Sequence, residues 1–183
     1  MNIEKLMHSI IFFVENTYYC NKIKTFKLLY LLDFIHYSEI GKSVTGLEYK
    51  AWDKGPVPDV LHDEIKKYSY HYTGGFFDEH IDIKVDEITK RVDFKPKVSF
   101  NENFFSNREM KIMKLIAEKL NTIKADDIID FTHAENDPWD RVYRIENRRG
   151  EIIPYDYVIN TDEELTQEII DRKDFWGNII DPR

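Results

Sequence analysis

The chain has very little cysteine. Cys20 is the single cysteine among 183 residues, so no disulfide can form within the chain and no Cys-rich zinc site is available. Disulfides mark oxidising compartments, and nothing in this composition requires one. We therefore expect a cytoplasmic protein.

Long apolar runs are also missing. No stretch approaches the roughly 20 apolar residues that a membrane helix needs. The first apolar segment follows Glu4 and is interrupted by His8 and Ser9, and no small-residue cleavage site comes after it, which is not the pattern of a secretory signal. These features predict no membrane association.

Glycine is scarce, and the 26 lysines and arginines are outnumbered by 34 acidic residues. The 7 glycines form neither GxxxxGK[ST] nor GxGxxG, so we expect no nucleotide site of a standard kind and no cofactor. The formal net charge of -8 argues against general nucleic-acid binding, which requires a basic surface. A DNA-binding autorepressor ranks low because no recognition helix rich in lysine and arginine is present.

Aromatic and apolar residues are plentiful. Aromatics make up 14% and all hydrophobic residues 42% of the chain, which is enough for one domain with its own core. Apolar periodicity of 3.6 predicts a mainly α (α+β) fold, a compact helical domain of about six helices. The period changes to 2 around residues 80–96 and predicts one inserted antiparallel β-hairpin. The predicted domain covers residues 1–160, and a C-terminal helix and tail over 161–183 are expected to dock on it.

The run Gly55-Pro56-Val57-Pro58 predicts a stiff corner before a third helix. A residue before proline avoids the helical region, so Val57 is expected to be extended. Pro58 suits the first helical position, where its missing N–H costs nothing. Gly55 is expected to need its lack of a side chain.

One local cluster could carry chemistry. His133, Glu135 and Asp137 place three possible ligands or acid–base groups beside Trp139. The alternative, which we favour, is that His133 bonds its neighbours at a helix end while Trp139 fills the core. His8 stands alone in the sequence pattern.

Two segments suit protein contacts. The loop over 68–77 is rich in aromatic rings, which give large contact area at low entropy cost, unless the rings fold onto the hairpin. Four arginines over 141–149 form a basic patch for an acidic partner or phosphate, unless they pair with Glu146 and Glu151. The predicted partner contacts are Trp52, Tyr68, Tyr70, Tyr72, Phe76, Phe77, Arg141 and Arg144.

Short segments spread over the chain carry a family resemblance. An apolar helical segment comes first, the proline corner follows, and a histidine-to-tryptophan block lies downstream. In chain order the segments are Lys27-Leu28-Leu29-Tyr30-Leu31-Leu32-Asp33, Thr45-Gly46, Lys54-Gly55-Pro56-Val57-Pro58, Thr132-His133-Ala134-Glu135 with Pro138-Trp139, and Ile152-Ile153-Pro154.

In this order and spacing the segments resemble the Panacea, or SocA-like, antitoxin domain family of bacterial and prophage toxin–antitoxin pairs. The resemblance extends over roughly residues 5–160. Trp52-Asp53 departs from the family pattern, and the region 68–96 is elaborated. The resemblance implies that the motif residues are mostly structural; these are Lys27, Leu28, Tyr30, Asp33, Gly55, Pro56, Val57, Pro58, His133 and Trp139.

The resemblance also implies a function. It predicts an antitoxin, not an enzyme, that neutralises a cognate protein toxin by direct binding, the toxin being encoded by a neighbouring gene. One alternative is a proteolytic adaptor that delivers the toxin to a protease. A less favoured alternative is a hydrolase-type enzyme that uses His133, Glu135 and Asp137.

Overall fold

The computed structural model describes residues 1–68, 74–133 and 137–158. These residues form six α-helices and two small antiparallel sheets, which confirms the mainly α (α+β) fold. None of the described helices is both long and apolar enough to cross a bilayer. The predicted C-terminal helix and tail over 161–183 lie outside the described residues. The elements are α1 (Ile3–Asn16), α2 (Lys22–Ile40), β1 (Lys50–Trp52), β2 (Gly55–Val57), α3 (Asp59–Tyr68), β3 (Ile81–Val85), β4 (Val92–Pro96), α4 (Asn107–Lys119), α5 (Ala125–Phe131) and α6 (Pro138–Asp140), with a π-helical turn (Arg141–Ile145) and 3₁₀ helices at Glu102–Phe104 and Tyr155–Val158.

Helix α2 lies at the centre of the fold. It packs against α1, α4, α5 and β2, and its apolar side chains are buried around most of its circumference. The Asn21 side chain caps its first turn by accepting from the Lys24 N–H. Gly41 ends it in the left-handed conformation at φ 70°, which glycine adopts without strain.

A buried lysine joins α2 to the end of α4. The Lys24 amino group donates to the carbonyl oxygens of Leu120 at 2.7 Å, Tyr18 and Ile123 at 2.8 Å, and Asn121 at 2.9 Å. Leu120 is the C-cap residue of α4, and the last carbonyls of a helix have no hydrogen-bond partner within it. A positive charge at this end of a helix also interacts favourably with the helix dipole.

The start of α4 is fixed by a capping box between Ser106 and Glu109. The Ser106 N–H donates to Glu109 Oε2 at 2.7 Å, and the Glu109 N–H donates to the Ser106 hydroxyl at 3.3 Å. Glu109 also forms an ion pair with Lys5 of α1, at 2.5 Å. One carboxylate therefore caps α4 and ties it to α1.

The predicted hairpin is confirmed as β3 and β4, which pair antiparallel from Ile81↔Pro96 to Val85↔Val92 and pack on α1. Strands β1 and β2 form the second antiparallel ladder, which runs from Lys50↔Val57 to Trp52↔Gly55 and is connected by a short turn. Helix α3 begins at Asp59, so Pro58 lies just before it. The Pro58 carbonyl oxygen accepts a hydrogen bond from the His62 N–H at 2.8 Å.

Candidate functional site

The family-motif residues of α2 and β2 meet in a closed corner. The Lys27 amino group donates to the Pro56 carbonyl oxygen at 2.9 Å, and only 1% of Lys27 is exposed. Burial lowers the pKa of Lys27 to about 7, because a charged amine is poorly solvated there. The corner thus holds an amine close to its neutral state.

Gly55 leaves the space that this corner needs. Its φ is +91°, which L side chains rarely adopt. A Cβ on Gly55 would stand 2.8 Å from Lys27 Nζ and 2.9 Å from His133 Nε2. Lys27 and His133 therefore flank the same glycine, although they come from distant parts of the chain.

His133 and Trp139 form a parallel stack. Their ring centroids are 3.7 Å apart with an angle of 4° between the planes. Trp139 is buried, and its indole N–H donates to the Trp52 carbonyl at 2.9 Å. This arrangement matches the favoured alternative of the sequence analysis, in which Trp139 fills the core. Of the possible catalytic set, Asp137 precedes α6, and Glu135 lies outside the described residues.

Asp33 holds the segment that follows α2. Its carboxylate accepts from the Val44 N–H at 2.8 Å, the Thr45 N–H at 2.7 Å and the Tyr49 hydroxyl at 2.7 Å, and from the Thr45 hydroxyl. Burial raises the pKa of Asp33, and these hydrogen bonds oppose that rise. Burial likewise raises the pKa of Tyr30, which lies on the same helix. Within the motif, Leu28 and Val57 are buried apolar residues of the core.

The aromatic loop contributes fewer surface rings than predicted. Phe77 is fully buried and stacks on Phe94 with centroids 6.0 Å apart, which corrects the prediction that it contacts a partner. Phe76 is half-buried beside it. The Tyr68 hydroxyl donates to Asp78 at 2.6 Å, so this ring is held against the hairpin side of the fold. Tyr70 and Tyr72 lie outside the described residues.

The basic patch is largely paired within the chain. Arg144 contacts Asp140 at 3.0 Å, and Arg141 contacts Glu146 at 3.2 Å. Arg148 contacts Glu146 at 3.0 Å and Glu151 at 2.7 Å. The predicted alternative, pairing with Glu146 and Glu151, is confirmed for Arg148 in full and for Arg141 in part.

One cluster was missed by the sequence reasoning. Glu4, His8 and His80 bring their ligand atoms within 4.8 Å of one another, the spacing of a possible metal centre. The i,i+4 spacing of Glu4 and His8 on α1 was a signal for half of it. His80 comes from just before β3, and no sequence pattern connects it to α1.

The hydrogen bonds of this cluster favour protons over a metal. The Asn101 N–H donates to His8 Nδ1 at 3.2 Å, so neutral His8 carries its proton on Nε2. That nitrogen then has no lone pair for a metal while the bond persists. His80 Nε2 lies 3.2 Å from Glu4 Oε2, and His80 Nδ1 is buried without a partner among the described residues. Burial and the neighbouring His80 lower the pKa of His8.

The fold and the site define a small, mainly helical domain whose signature residues are engaged in internal contacts. The family model described as "Antitoxin SocA-like, Panacea domain" matches residues 26–140. This match covers more than half of the 183 residues, and the chain belongs to that family. Searches of curated proteins and of solved structures found no match.

Proposed function

We propose that this chain is a cytoplasmic antitoxin that neutralises a cognate protein toxin by direct binding, without catalysis. The observation that carries the proposal is the family match over residues 26–140. It is supported by the motif residues Lys27, Asp33 and Trp139, which are buried and hydrogen-bonded within the chain. Residues so placed stabilise the fold and leave recognition to the surface.

The remaining predicted contacts form the proposed recognition surface. Trp52 is 38% exposed, and Arg144 is exposed on the π-helical turn. Tyr68 and Phe76 are half-buried, and either ring offers an edge to a partner. Aromatic and arginine side chains supply most of the binding energy in protein interfaces, which supports this assignment.

The test is co-expression with the product of the neighbouring gene. We expect that product alone to arrest growth, and this protein to restore growth and to co-purify with it. Restored growth with falling toxin levels and no stable complex would favour the alternative of an adaptor to a protease. A neighbour that is harmless and never binds would contradict the proposal.

The aromatic loop is tested in the same assay. Tyr70→Ala and Tyr72→Ala should each weaken rescue while leaving the thermal unfolding midpoint unchanged. Tyr18→Ala is the matched control, because Tyr18 is a tyrosine that is 65% exposed on the segment between α1 and α2. Full rescue by both loop variants would remove this loop from the recognition surface.

A further inference from the structure

A stack of rings runs from the interior to the surface at the π-helical turn. The buried Trp139 indole lies between His133 and Tyr143, whose ring centroid is 4.6 Å away. The Tyr143 hydroxyl donates to Asp53 at 2.7 Å, and the Trp139 indole N–H donates to the carbonyl of Trp52. Helix α6 and the π-helical turn are therefore each bonded once to the β1–β2 hairpin. Turns with π-type bonds are frequent at functional sites.

Two arginines lie on the outer side of this stack. The guanidinium carbon of Arg149 is 4.9 Å from the Tyr143 ring centroid, and that of Arg144 is 5.3 Å from the Trp139 ring centroid. A guanidinium stacked on a ring is attracted by the π-face and loses less conformational freedom when it later binds a carboxylate. These arginines are thus ordered before a partner arrives.

Arg149 differs from its neighbours in its charge balance. Arg144 and Arg148 each have a carboxylate within 3.0 Å, and Arg141 has one at 3.2 Å. Arg149 is exposed and has no ion pair with any residue that the structure describes. Among the described residues, no ion pair therefore neutralises its positive charge, on a chain whose formal net charge is -8.

Three exposed apolar side chains lie on the π-helical turn, on β1 and on the segment that follows Arg149. Trp52 is 38%, Ile145 62% and Ile152 45% exposed. Lys50 pairs antiparallel with Ile152, and residues paired in this way point to the same side of a sheet. Trp52 lies two residues after Lys50 in the same strand, so it shares that side as well. Arginine together with exposed aromatic and aliphatic side chains is a composition typical of protein interfaces.

From these observations we infer that the Arg149 face, formed by Trp52, Tyr143, Arg144, Ile145, Arg149 and Ile152, binds an acidic and partly apolar surface of the protein partner. The inference rests on the proposed function and specifies its binding site. Carboxylates of the partner complement Arg149, while Trp52 and Ile152 supply apolar contact area. A nucleic acid is disfavoured as the occupant, because the rest of the chain is acidic.

The experiment uses the full chain and the purified product of the neighbouring gene. Arg149→Glu should weaken their binding at least tenfold, and Trp52→Ala should weaken it by a similar factor. Arg108→Glu is the control for charge reversal. Arg108 is also exposed, and its ion pair with Glu39 at 2.7 Å lies at the surface, where such pairs contribute little to stability. A glutamate at this position near the start of α4 suits the helix dipole. Unchanged thermal midpoints show that each variant folds. Raising the salt from 0.1 to 0.5 M should weaken binding of the wild type more than that of Arg149→Glu.

Several outcomes would overturn the inference. If the wild type binds and rescues while Arg149→Glu and Trp52→Ala bind equally well, the face is wrong and the antitoxin function stands. If the wild type neither binds nor rescues, the proposed function fails and the inference fails with it. If Arg149→Glu instead abolishes binding to duplex DNA and leaves the protein complex intact, the occupant is a nucleic acid.

Discussion

The amino group of Lys27 lies 2.9 Å from the carbonyl oxygen of Pro56, in a corner closed to solvent. The lysine comes from the central helix α2, and the proline comes from strand β2 of the tight hairpin. This contact fixes the hairpin on the helix. It also keeps an ionisable group away from water, and that has a measurable consequence for stability.

We predict that the free energy of unfolding rises with pH above 7 because of Lys27. The pKa is about 7 in the folded protein against 10.5 for an ordinary lysine. Between these values the unfolded chain binds more protons, so stability rises by about 1 kcal/mol per pH unit. This contribution is complete above pH 10.5 and is lost as the pH falls through 7.

Lys27→Met should flatten this dependence when urea unfolding is measured at several pH values from 7 to 9.5. Lys66→Met, at an exposed position of α3, should keep the wild-type slope. Other groups titrate in all three proteins, so they cancel in the comparison. Equal slopes for the wild type and Lys27→Met would show that Lys27 stays charged in the folded protein.

Gly55→Ala should destabilise the protein by about 3 kcal/mol. A side chain at φ +91° is strained, and its Cβ would stand 2.8 Å from the Lys27 amino group. Gly150→Ala is a matched control, since Gly150 has φ +78° and nothing within 4 Å of the added Cβ. Urea unfolding should therefore show a cost of about 1 kcal/mol for the control, from backbone strain alone. Equal costs at the two glycines would mean that the corner around Gly55 relaxes freely.

Local patterns predicted the elements of this fold well. Apolar periodicity of 3.6 predicted a mainly helical domain of about six helices, and alternation of period 2 predicted the β3–β4 hairpin. Each of these signals comes from residues a few positions apart. Their geometry is set by the backbone of one element, so the sequence contains it directly.

Contacts between distant segments were not predictable in the same way. His8 and His80 meet only because the hairpin packs on α1, and Lys24 finds its carbonyls only because α4 ends beside it. Phe77 was predicted at the surface because an aperiodic loop shows no buried side in its sequence. For the arginines over 141–149, the sequence left open whether they pair within the chain or bind a partner. Only the packed structure shows which of them have a carboxylate nearby.

Asp33→Asn should cost about 3 kcal/mol of stability. The carboxylate accepts hydrogen bonds from the N–H groups of Val44 and Thr45 and from the Tyr49 hydroxyl. The NH₂ group of an asparagine is itself a donor, so it would leave some of these groups without an acceptor. Asp63→Asn is the control, at a largely exposed position of α3, and should change stability by less than about 0.5 kcal/mol. Thermal or urea unfolding distinguishes them. A cost for Asp33→Asn as small as that of the control would mean that the 41–49 segment is held by other contacts.

The cluster of His8, His80 and Glu4 predicts a loss of stability in acid. Burial and His80 lower the pKa of His8 below its ordinary 6.5, while Glu4 opposes this change. Neutral His8 accepts the Asn101 N–H, and a protonated ring cannot. The contribution of His8 is therefore present above pH 6.5 and is lost as the pH falls through the lowered pKa.

His8→Phe should reduce this acid dependence, because phenylalanine keeps the stacking on Phe104 and removes the titrating group. The measurement is the unfolding midpoint in urea between pH 7 and 5. His62→Phe is the control, since His62 lies on α3 away from the cluster, and it should retain the wild-type decline. An equal decline in the His8→Phe variant would place the acid-sensitive group elsewhere.

Equimolar Zn²⁺ should leave the wild-type midpoint unchanged. A rise that disappears in His8→Phe would show that His8 binds metal, either through Nδ1 after releasing the Asn101 N–H or through Nε2 after losing its proton.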